Sequence, residues 1–447
     1  MIKKSVCITI LCTSVLLFSI CGCGRSTSDT AKSSGFSFTT KDVVTAEREI
    51  AGGFGAYHEG FVFCDGGLLK YMAFEDGKTH VACANPNCRH EDDSCSAWLG
   101  SSYLGGYAAF VNGKYYFITY NPETGYLDLN SMLPEARDRQ KICSFNYNDY
   151  TREEPIYDIS TAAYTKNNTA VIHCRIGKPE SVETETGTGY LVDWEPACLI
   201  VDLLSGQITD QIEGYDVYAV YEDCVWLEKE TADTEKLTQE EYAVLDESEH
   251  LSYLDYLAWY YQNTETFMET SVYFLDTGEL VPVHATPRLP YIDDNGLVQF
   301  DIECVDLGVF NGKMYYETAK GAGYEIFSID IKNGTHSLVY TIESGSPLIT
   351  NMTDFNCVID NGKILFVERE QEKETGNGLV CILDLETGEA KEIYTDVWNV
   401  KYRMAGETDD SFIINPGDGK FYRIRKTDYY NGDFSSMKGY RLRLSQS

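Results

Sequence analysis

The segment CANPNCRHEDDSC, from Cys83 to Cys95, brings three cysteines and one histidine into a short stretch of chain. Cys83, Cys88, His90 and Cys95 follow the spacing Cys-x4-Cys-x-His-x4-Cys, which supplies the four sulfur and nitrogen ligands of a closed tetrahedral zinc site. Such a site would be structural, because four protein ligands leave the ion no open position for catalysis. The same cysteines could instead form one or two disulfides or remain free thiols, and the spacing leaves all three interpretations open.

Three features of the Cys83–Cys95 segment bear on whether it could bind a metal ion. Asn85-Pro86 predicts a turn that would fold Cys83 toward Cys88. Only one residue separates Cys88 from His90, so coordination by both requires a local bend in the chain. The acidic run at 91–93 would add a field that favours a cation.

A repeat of about fifty residues must position this segment. Asn-Gly-Lys lies between alternating apolar runs at 112–114, 311–313 and 361–363, and Asn-Gly in this setting predicts a type I′ hairpin turn. A second pattern follows it, in which an apolar run ends in Asp and a glycine-bearing turn leads to a shorter run; it occurs at Asp202, Asp276, Asp330 and Asp384. Two hairpins give four strands in each unit.

Repeated four-stranded units predict an all-β fold, a β-propeller of antiparallel blades. We favour seven blades, with six as the alternative and a pair of packed sheets as the main competing architecture. The seven units are predicted at 50–83, 107–160, 163–213, 215–285, 303–343, 352–396 and 398–443. Cys64 and Cys83 would then lie two strands apart, roughly 9–10 Å, too far for a direct disulfide, so Cys64 is a candidate partner for Cys88 or Cys95 only.

Long connections are predicted on one face of the propeller. In units two to four they join the second strand to the third, at 121–140, 176–195 and about 230–270, and the Cys83–Cys95 segment belongs to the same face. The last connection contains a small helical insertion around 237–262, where Thr238 and Glu241 fit a capping box. The candidate ligand or partner contacts on these connections are Tyr126, Trp194, Trp259 and Tyr260.

The first residues predict export. Lys3 and Lys4 precede an apolar run at 6–20 that is short for a membrane span, which is typical of a signal peptide at 1–22. The sequence ICGC resembles a bacterial lipobox, which makes Cys23 the candidate lipidated residue. Residues 23–45 are rich in Ser and Thr and predict a flexible tether, followed by the propeller domain at 46–447.

Composition limits the function. The 70 acidic residues against 36 lysines and arginines give a formal charge of −34, which disfavours nucleic-acid binding. Gly-Lys-Thr at 77–79 is not part of a phosphate-binding loop, because Met72 stands where that motif needs glycine. The histidine segment is not a zinc-protease motif either, because Ser94 stands where the second histidine is needed. Without a catalytic pattern, the sequence favours a binding role over an enzymatic one.

The chain resembles uncharacterised cell-surface lipoproteins of Gram-positive bacteria with a β-propeller domain of unknown function. ICGC at 20–23 and PNCRHEDDSC at 86–95 carry this resemblance. It implies a lipid anchor on the outer face of the cytoplasmic membrane and assigns no activity. We therefore expect a non-catalytic binding or scaffold propeller with an unknown protein or glycan partner. No cofactor is expected to be required, and a structural zinc ion is one of the three interpretations of the Cys83–Cys95 segment. The alternatives are a glycan-acting enzyme and a subunit of an envelope assembly or transport complex.

Overall fold

Antiparallel strands make up nearly all the secondary structure that can be described. A computed structural model describes residues 43–45, 54–57, 60–83, 85–100, 108–133, 139–152, 154–184, 187–232, 264–292, 298–302, 304–320, 323–343, 358–360, 362–369, 378–395, 403–408, 410–415 and 420–440. Within them the strands form seven antiparallel sheets. The chain divides into two compact units, one built from residues 41–214 and 397–447 and the other from residues 215–396.

The first unit contains four sheets. The first two are β2 (Phe54–Tyr57), β3 (Gly60–Asp65), β4 (Leu68–Ala73) and β5 (Thr79–Val81), then β6 (Ala109–Val111), β7 (Lys114–Asn121), β8 (Tyr126–Met132) and β9 (Gln140–Asn146). The third joins β1 (Val43–Thr45) to β10 (Ile156–Thr165), β11 (Thr169–Thr184), β12 (Gly187–Asp202) and β13 (Ile208–Glu213). The last is β27 (Arg403–Glu407), β28 (Ser411–Asn415), β29 (Phe421–Arg425) and β30 (Lys438–Tyr440).

The second unit contains three sheets. The first is β14 (Asp216–Val220), β15 (Cys224–Ala232), β16 (Thr266–Phe274), β17 (Glu279–Ile292) and β18 (Val298–Ile302). The others are β19 (Cys304–Phe310), β20 (Lys313–Lys320), β21 (Gly323–Asp330) and β22 (His336–Ile342), then β23 (Val358–Asp360), β24 (Lys363–Arg369), β25 (Gly378–Asp384) and β26 (Ala390–Thr395).

Each sheet is a meander in which strands consecutive in sequence are also neighbours, apart from the addition of β1 beside β10. Successive antiparallel meanders of this kind are propeller blades, so the predicted all-β propeller class is confirmed. The seven sheets follow the seven predicted units, with two shifted boundaries. The fourth sheet, predicted to end at 285, continues through β17 and β18. Residues 156–160, assigned from sequence to the second unit, begin the third sheet.

The predicted hairpin turns are confirmed where they are described. Asn112 and Gly113 have φ of 50° and 74°, and Asn311 and Gly312 have φ of 50° and 71°. Positive φ at both central residues defines the type I′ turn, whose twist matches that of the flanking strands. This geometry explains why the same dipeptide recurs at equivalent positions of the repeat.

Hydrophobic side chains are buried between neighbouring sheets of each unit. In the first unit, Val62 and Leu69 pack with Phe117 of the next sheet. In the second unit, Trp226 packs with Met314 of the following sheet. The core is thus a series of apolar layers between sheets, as expected when strand-rich units cannot bury both faces alone.

The prediction of a long loop at 121–140 was wrong. A turn at 122–125 joins β7 directly to β8, and Gly125 N–H donates to the Asn121 carbonyl at 2.9 Å. The segment taken for a loop therefore contains the third strand of the second sheet. β8 ends at Met132 and the fourth strand, β9, begins at Gln140.

The predicted loop at 176–195 is also wrong, because this segment is a two-stranded extension of the sheet. β11 and β12 pair continuously from Thr169 and Asp202 to Thr184 and Gly187, whereas β10 stops pairing with β11 at Gly177. The pair thus continues past the sheet for about 20 Å.

The long connection of the fourth sheet is placed as predicted, between β15 and β16. Its helical insertion around 237–262 lies outside the described residues.

The fourth strand of the last sheet is β30, which lies within the predicted unit at 398–443. Residues 43–45, which the sequence assigns to the tether, form β1 of the third sheet, where Val43 pairs with Thr165. A single short α-helix, α1 (Lys426–Asn431), and a 3₁₀ turn at 434–436 precede β30 among the described residues. Among the residues described, no helix has the length and apolar character that a bilayer span requires.

Candidate metal centre and aromatic patch

The segment after β5 folds back onto the β3–β4 hairpin. Leu69 N–H donates to the Ala97 carbonyl at 2.9 Å, and Leu99 N–H donates to the Gly67 carbonyl at 2.7 Å. A Cβ on Gly67 would lie 2.9 Å from the Gly100 carbonyl oxygen, so this close approach requires glycine. The cysteine segment therefore lies at the β3–β4 end of the first sheet, on the predicted edge.

The local bends that a metal site needs are present. Cys88 N–H donates to the Asn85 carbonyl at 3.1 Å, which closes the turn predicted at Asn85-Pro86. His90 has a φ of 59°, an uncommon conformation for a residue other than glycine. This left-handed residue supplies the bend that lets His90 and Cys88 face the same point.

Four possible ligand atoms converge here. One atom each from Cys83, Cys88, His90 and Cys95 lies within 4.8 Å of the other three, and His90 Nδ1 is 3.2 Å from Cys95 Sγ. Sulfur ligands of tetrahedral zinc lie about 3.8 Å apart, so a small contraction would bring this set to coordination distance. No disulfide joins any of the described cysteines.

The thiols of this cluster are not equivalent. Burial raises the pKa of Cys95 to about 12. Burial also acts on Cys83, but the backbone N–H of Asn85 and hydrogen bonds from Cys95 and Cys88 outweigh it, so the pKa of Cys83 is lowered. Cys83 therefore forms a thiolate more readily than Cys95.

Cys64 is buried in the same apolar cluster as these residues but is not one of the four grouped ligands. Its 4% exposure and its neighbours Leu69 and Ala97 fit a packing role.

Aromatic side chains gather at the β7–β8 and β11–β12 ends of the second and third sheets. We call Tyr126, Tyr150, Tyr190 and Trp194 the aromatic patch. Tyr147 and Asn148 N–H groups both donate to the Gly125 carbonyl, at 3.0 and 3.1 Å, which ties the crossover after β9 to the β7–β8 turn. Antiparallel alternation places this crossover and the β11–β12 hairpin on the same edge as that turn.

Arginines cover two rings of the aromatic patch. The Arg152 guanidinium lies 5.2 Å from the Tyr126 ring centroid, and the Tyr126 hydroxyl donates to Glu154. The Arg175 guanidinium lies 5.5 Å from the Trp194 ring. Tyr126 and Trp194 are both half-buried at strand positions, so the structure keeps these predicted contacts on the expected edge but not on loops. Trp259 and Tyr260 lie outside the described residues.

Sequence inspection missed Tyr150 and Tyr190. Their rings lie 5.9 Å apart and Tyr190 is 41% exposed. The crossover and the hairpin that carry them are separated by two strands, so only the folded sheet brings the rings together.

A second cluster was also missed. Donor atoms of His284, Cys304 and Asp306 lie within 4.8 Å of one another, at the junction of β17 and β19. These residues show no motif spacing in the sequence. The one indication in the sequence is that Cys304 and Asp306 are two positions apart on a strand, which places both side chains on the same face.

Comparisons with known proteins are limited to fold. No family profile and no curated protein sequence matches the chain. Among solved structures, it resembles an acylaminoacyl peptidase in complex with Z-Gly-Gly-Phe-chloromethyl ketone, with 12% identity, a TM-score of 0.41 and coverage of 91% of this chain and 55% of that chain. The chain thus spans just over half the length of that peptidase.

Two other solved structures are similarly distant. The β-propeller domain of the Trilobed protease from Pyrococcus furiosus has 12% identity and a TM-score of 0.37 over 90% of this chain and 99% of that chain. TolB from Acinetobacter baumannii has 10% identity and a TM-score of 0.32 over 88% and 79%. At such distances these likenesses carry no inference about activity or partners.

Proposed function

We propose that this protein is a lipid-anchored, extracytoplasmic propeller that binds a protein partner through the aromatic patch. The observation that carries the binding role is the placement of four aromatic rings, two of them covered by arginines, along one edge of the first unit. Tyr, Trp and Arg are the side chains that most often dominate binding energy at protein interfaces. An arginine that is already stacked on an aromatic ring is conformationally restricted, so it loses less side-chain entropy when a partner binds.

Tyr190 is the residue that best tests the binding role, because it is exposed and lies on the projecting β11–β12 hairpin. We expect Tyr190→Ala to weaken capture of the partner at least tenfold in cells treated with a cross-linker, measured by quantitative mass spectrometry. Leu338→Ala is the matched control, since Leu338 is 53% exposed on a sheet of the second unit. Equal capture by both variants would contradict a role for the patch, and recovery of polysaccharide in place of protein would reassign the partner class.

The anchor is proposed at Cys23, where the lipobox resemblance places the modified sulfur. Two acyl chains hold a protein on a bilayer stably, whereas one chain is marginal. Cys23→Ser is expected to move the protein from the membrane fraction to the medium and to abolish incorporation of labelled fatty acid. The neighbouring variant Cys21→Ser is the control and should stay membrane-bound, and loss of labelling in Cys21→Ser alone would place the anchor at Cys21 instead.

We further propose that Cys83, Cys88, His90 and Cys95 hold a structural zinc ion. The residues fit the group, because the bend at His90 and the Asn85 turn already aim three sulfurs and one nitrogen at a common point. When bound, zinc would close the Cys83–Cys95 loop beside the apolar contacts that Ala97 and Leu99 make with the first sheet. Catalysis is not part of this proposal.

The test is metal analysis of protein made without chelator. Cys88→Ser should bind one zinc equivalent less per chain than the parent and should unfold at a lower temperature. Cys143→Ser, on β9 away from the cluster, should leave the zinc content unchanged. An unchanged zinc content in Cys88→Ser would rule out the centre, and detection of a disulfide between these cysteines by mass spectrometry would replace it.

A further inference from the structure

The second cluster lies where two sheets of the second unit meet. His284 is on β17, and Cys304 and Asp306 are on β19, the first strand of the next sheet. Cys304 and Asp306 share a face of β19 because side chains alternate along a strand. One donor atom from each of the three residues lies within 4.8 Å of the others.

Neighbouring side chains hold the histidine and the carboxylate in place. His284 Nε2 lies 2.8 Å from Asp306 Oδ1 and 3.1 Å from Oδ2, and the Thr270 hydroxyl donates to Asp306 Oδ2 at 2.7 Å. The Tyr316 ring packs beside His284, with ring centroids 5.5 Å apart. Outer contacts of this kind fix the orientation of ligands at metal sites and are part of their design.

A further carboxyl group lies in line with the cluster. Glu228 pairs across the sheet with Thr270, and Thr270 pairs with His284, so the three side chains form a row on one face. Burial is the main cause that raises the pKa of Glu228 to about 8, the charge of Asp306 adds to it, and the charge of Arg288 opposes it.

A nucleophilic Cys-His-Asp arrangement is the other interpretation of these residue types, and two features oppose it. Burial and the nearby Asp306 raise the pKa of Cys304 well above that of an ordinary thiol, so the reactive thiolate is suppressed. His284 Nε2 is already engaged by Asp306. Metal binding meets neither obstacle, because a divalent ion displaces the thiol proton and can take the place of that hydrogen bond.

We propose that His284, Cys304 and Asp306 bind one divalent transition-metal ion of the zinc class, separate from the Cys83–Cys95 centre. Nitrogen, sulfur and oxygen donors suit a borderline-soft ion, and three protein ligands leave a fourth position for water or an external ligand. On binding, the proton of Cys304 is released to solvent and the contact between His284 and Asp306 opens. The side chains of His284 and Asp306 are 15% and 10% exposed, which gives the ion a route to the site.

Cobalt(II) is the probe, since its visible spectrum reports thiolate ligation and coordination number. The full chain is purified without chelator, stripped of metal and titrated with cobalt. The parent should bind two equivalents and Cys304→Ala one, with loss of the absorption from a site with a single thiolate. The matched control Cys143→Ala should behave as the parent. In a Cys88→Ser background one equivalent should remain, and adding Cys304→Ala should remove it.

The proposal fails if Cys304→Ala retains the cobalt stoichiometry and spectrum of the parent. A measurement on the unaltered chain guards against misfolded variants: cadmium-113 NMR should give two resonances, one with the shift of a three-sulfur site and one with that of a single-sulfur site. A single three-sulfur resonance at saturation would overturn the second site. A single-sulfur resonance alone would support it while rejecting the structural zinc at Cys83–Cys95, so the two proposals fail separately.

Discussion

Glu317 is fully buried on β20, and neither carboxylate oxygen has a hydrogen-bond partner among the described residues. Burial raises its pKa to about 7. When the pKa of a carboxyl is higher in the folded than in the unfolded state, the protein's free energy of unfolding falls as the pH rises from the unfolded-state pKa to the folded-state pKa. Going from pH 4.5 to pH 7 should therefore lower the free energy of unfolding by on the order of 3 kcal/mol at this residue.

We expect Glu317→Met, an apolar residue of similar length, to be more stable than the parent at pH 8 and to lose the advantage near pH 4.5. Urea unfolding at both pH values measures the difference. Glu343→Met, at an exposed position, controls for the general effect of removing a charge. A stability gain that does not change with pH would mean that Glu317 ionises without penalty.

Whether a site could be predicted from the sequence depends on how far apart its candidate ligands lie along the chain. The Cys83–Cys95 cluster was identified because its candidate ligands are close in sequence and Asn85-Pro86 predicts a turn between them. The left-handed His90 has no such signal, since histidine tolerates that conformation without requiring it. His284 and Asp306 are 22 residues apart on different sheets, and their contact follows only from sheet packing.

Among the elements, three of the four Asp-bearing turns of the repeat have one construction; the fourth, at Asp276, closes by a bond from Gly278 N–H to the Phe274 carbonyl instead. The Asp202 carboxylate accepts from the N–H of Leu204 and Ser205, and its carbonyl accepts from Gly206 N–H at 2.8 Å. The same bonds recur at the turns that begin at Asp330 and Asp384. The carboxylate holds the turn and the glycine closes it with positive φ, which explains the sequence pattern.

Two glycines of these turns give a matched test. Gly206 and Gly334 have φ of 73° and 68°, but a Cβ on Gly206 would lie 2.2 Å from the Ile142 carbonyl oxygen, whereas nothing lies within 4 Å of one on Gly334. Alanine at either position should lose about 1 kcal/mol to backbone strain. Gly206→Ala should lose about 1–3 kcal/mol more, because the adjacent sheet must move.

Thermal and urea unfolding of the two variants would show the difference. Equal losses would mean that the β12–β13 turn is not pressed against β9.

The elements that sequence inspection misassigned share a polar character. β8 carries buried Asn130, whose amide donates to the Thr119 hydroxyl at 3.0 Å and to the Asp128 carbonyl at 2.7 Å. A buried polar residue with such partners is stable but looks like loop sequence. None of the described strands pairs with the outer part of β11–β12, so this part lacks the apolar alternation that identifies a half-buried strand.

At the scale of the whole molecule, the repeat determined the fold class because hairpin turns and alternating runs recur with every blade. The partner of each blade is not encoded so locally. In the first unit, the sheet of β27–β30 packs on that of β2–β5: the Phe74 carbonyl accepts from Lys438 Nζ at 2.9 Å and from the Tyr440 hydroxyl at 3.2 Å. Phe61 contacts both Phe74 and Phe421, with ring centroids 5.1 and 5.4 Å apart.

This pairing of sheets that lie far apart in sequence has a kinetic consequence. The aromatic face of β2–β5 stays uncovered until a segment containing Lys438, which follows Phe74 by 364 positions, has packed on it. Contacts of such large sequence separation form slowly, so we expect this face to be the part of the first unit that is most prone to aggregate during folding.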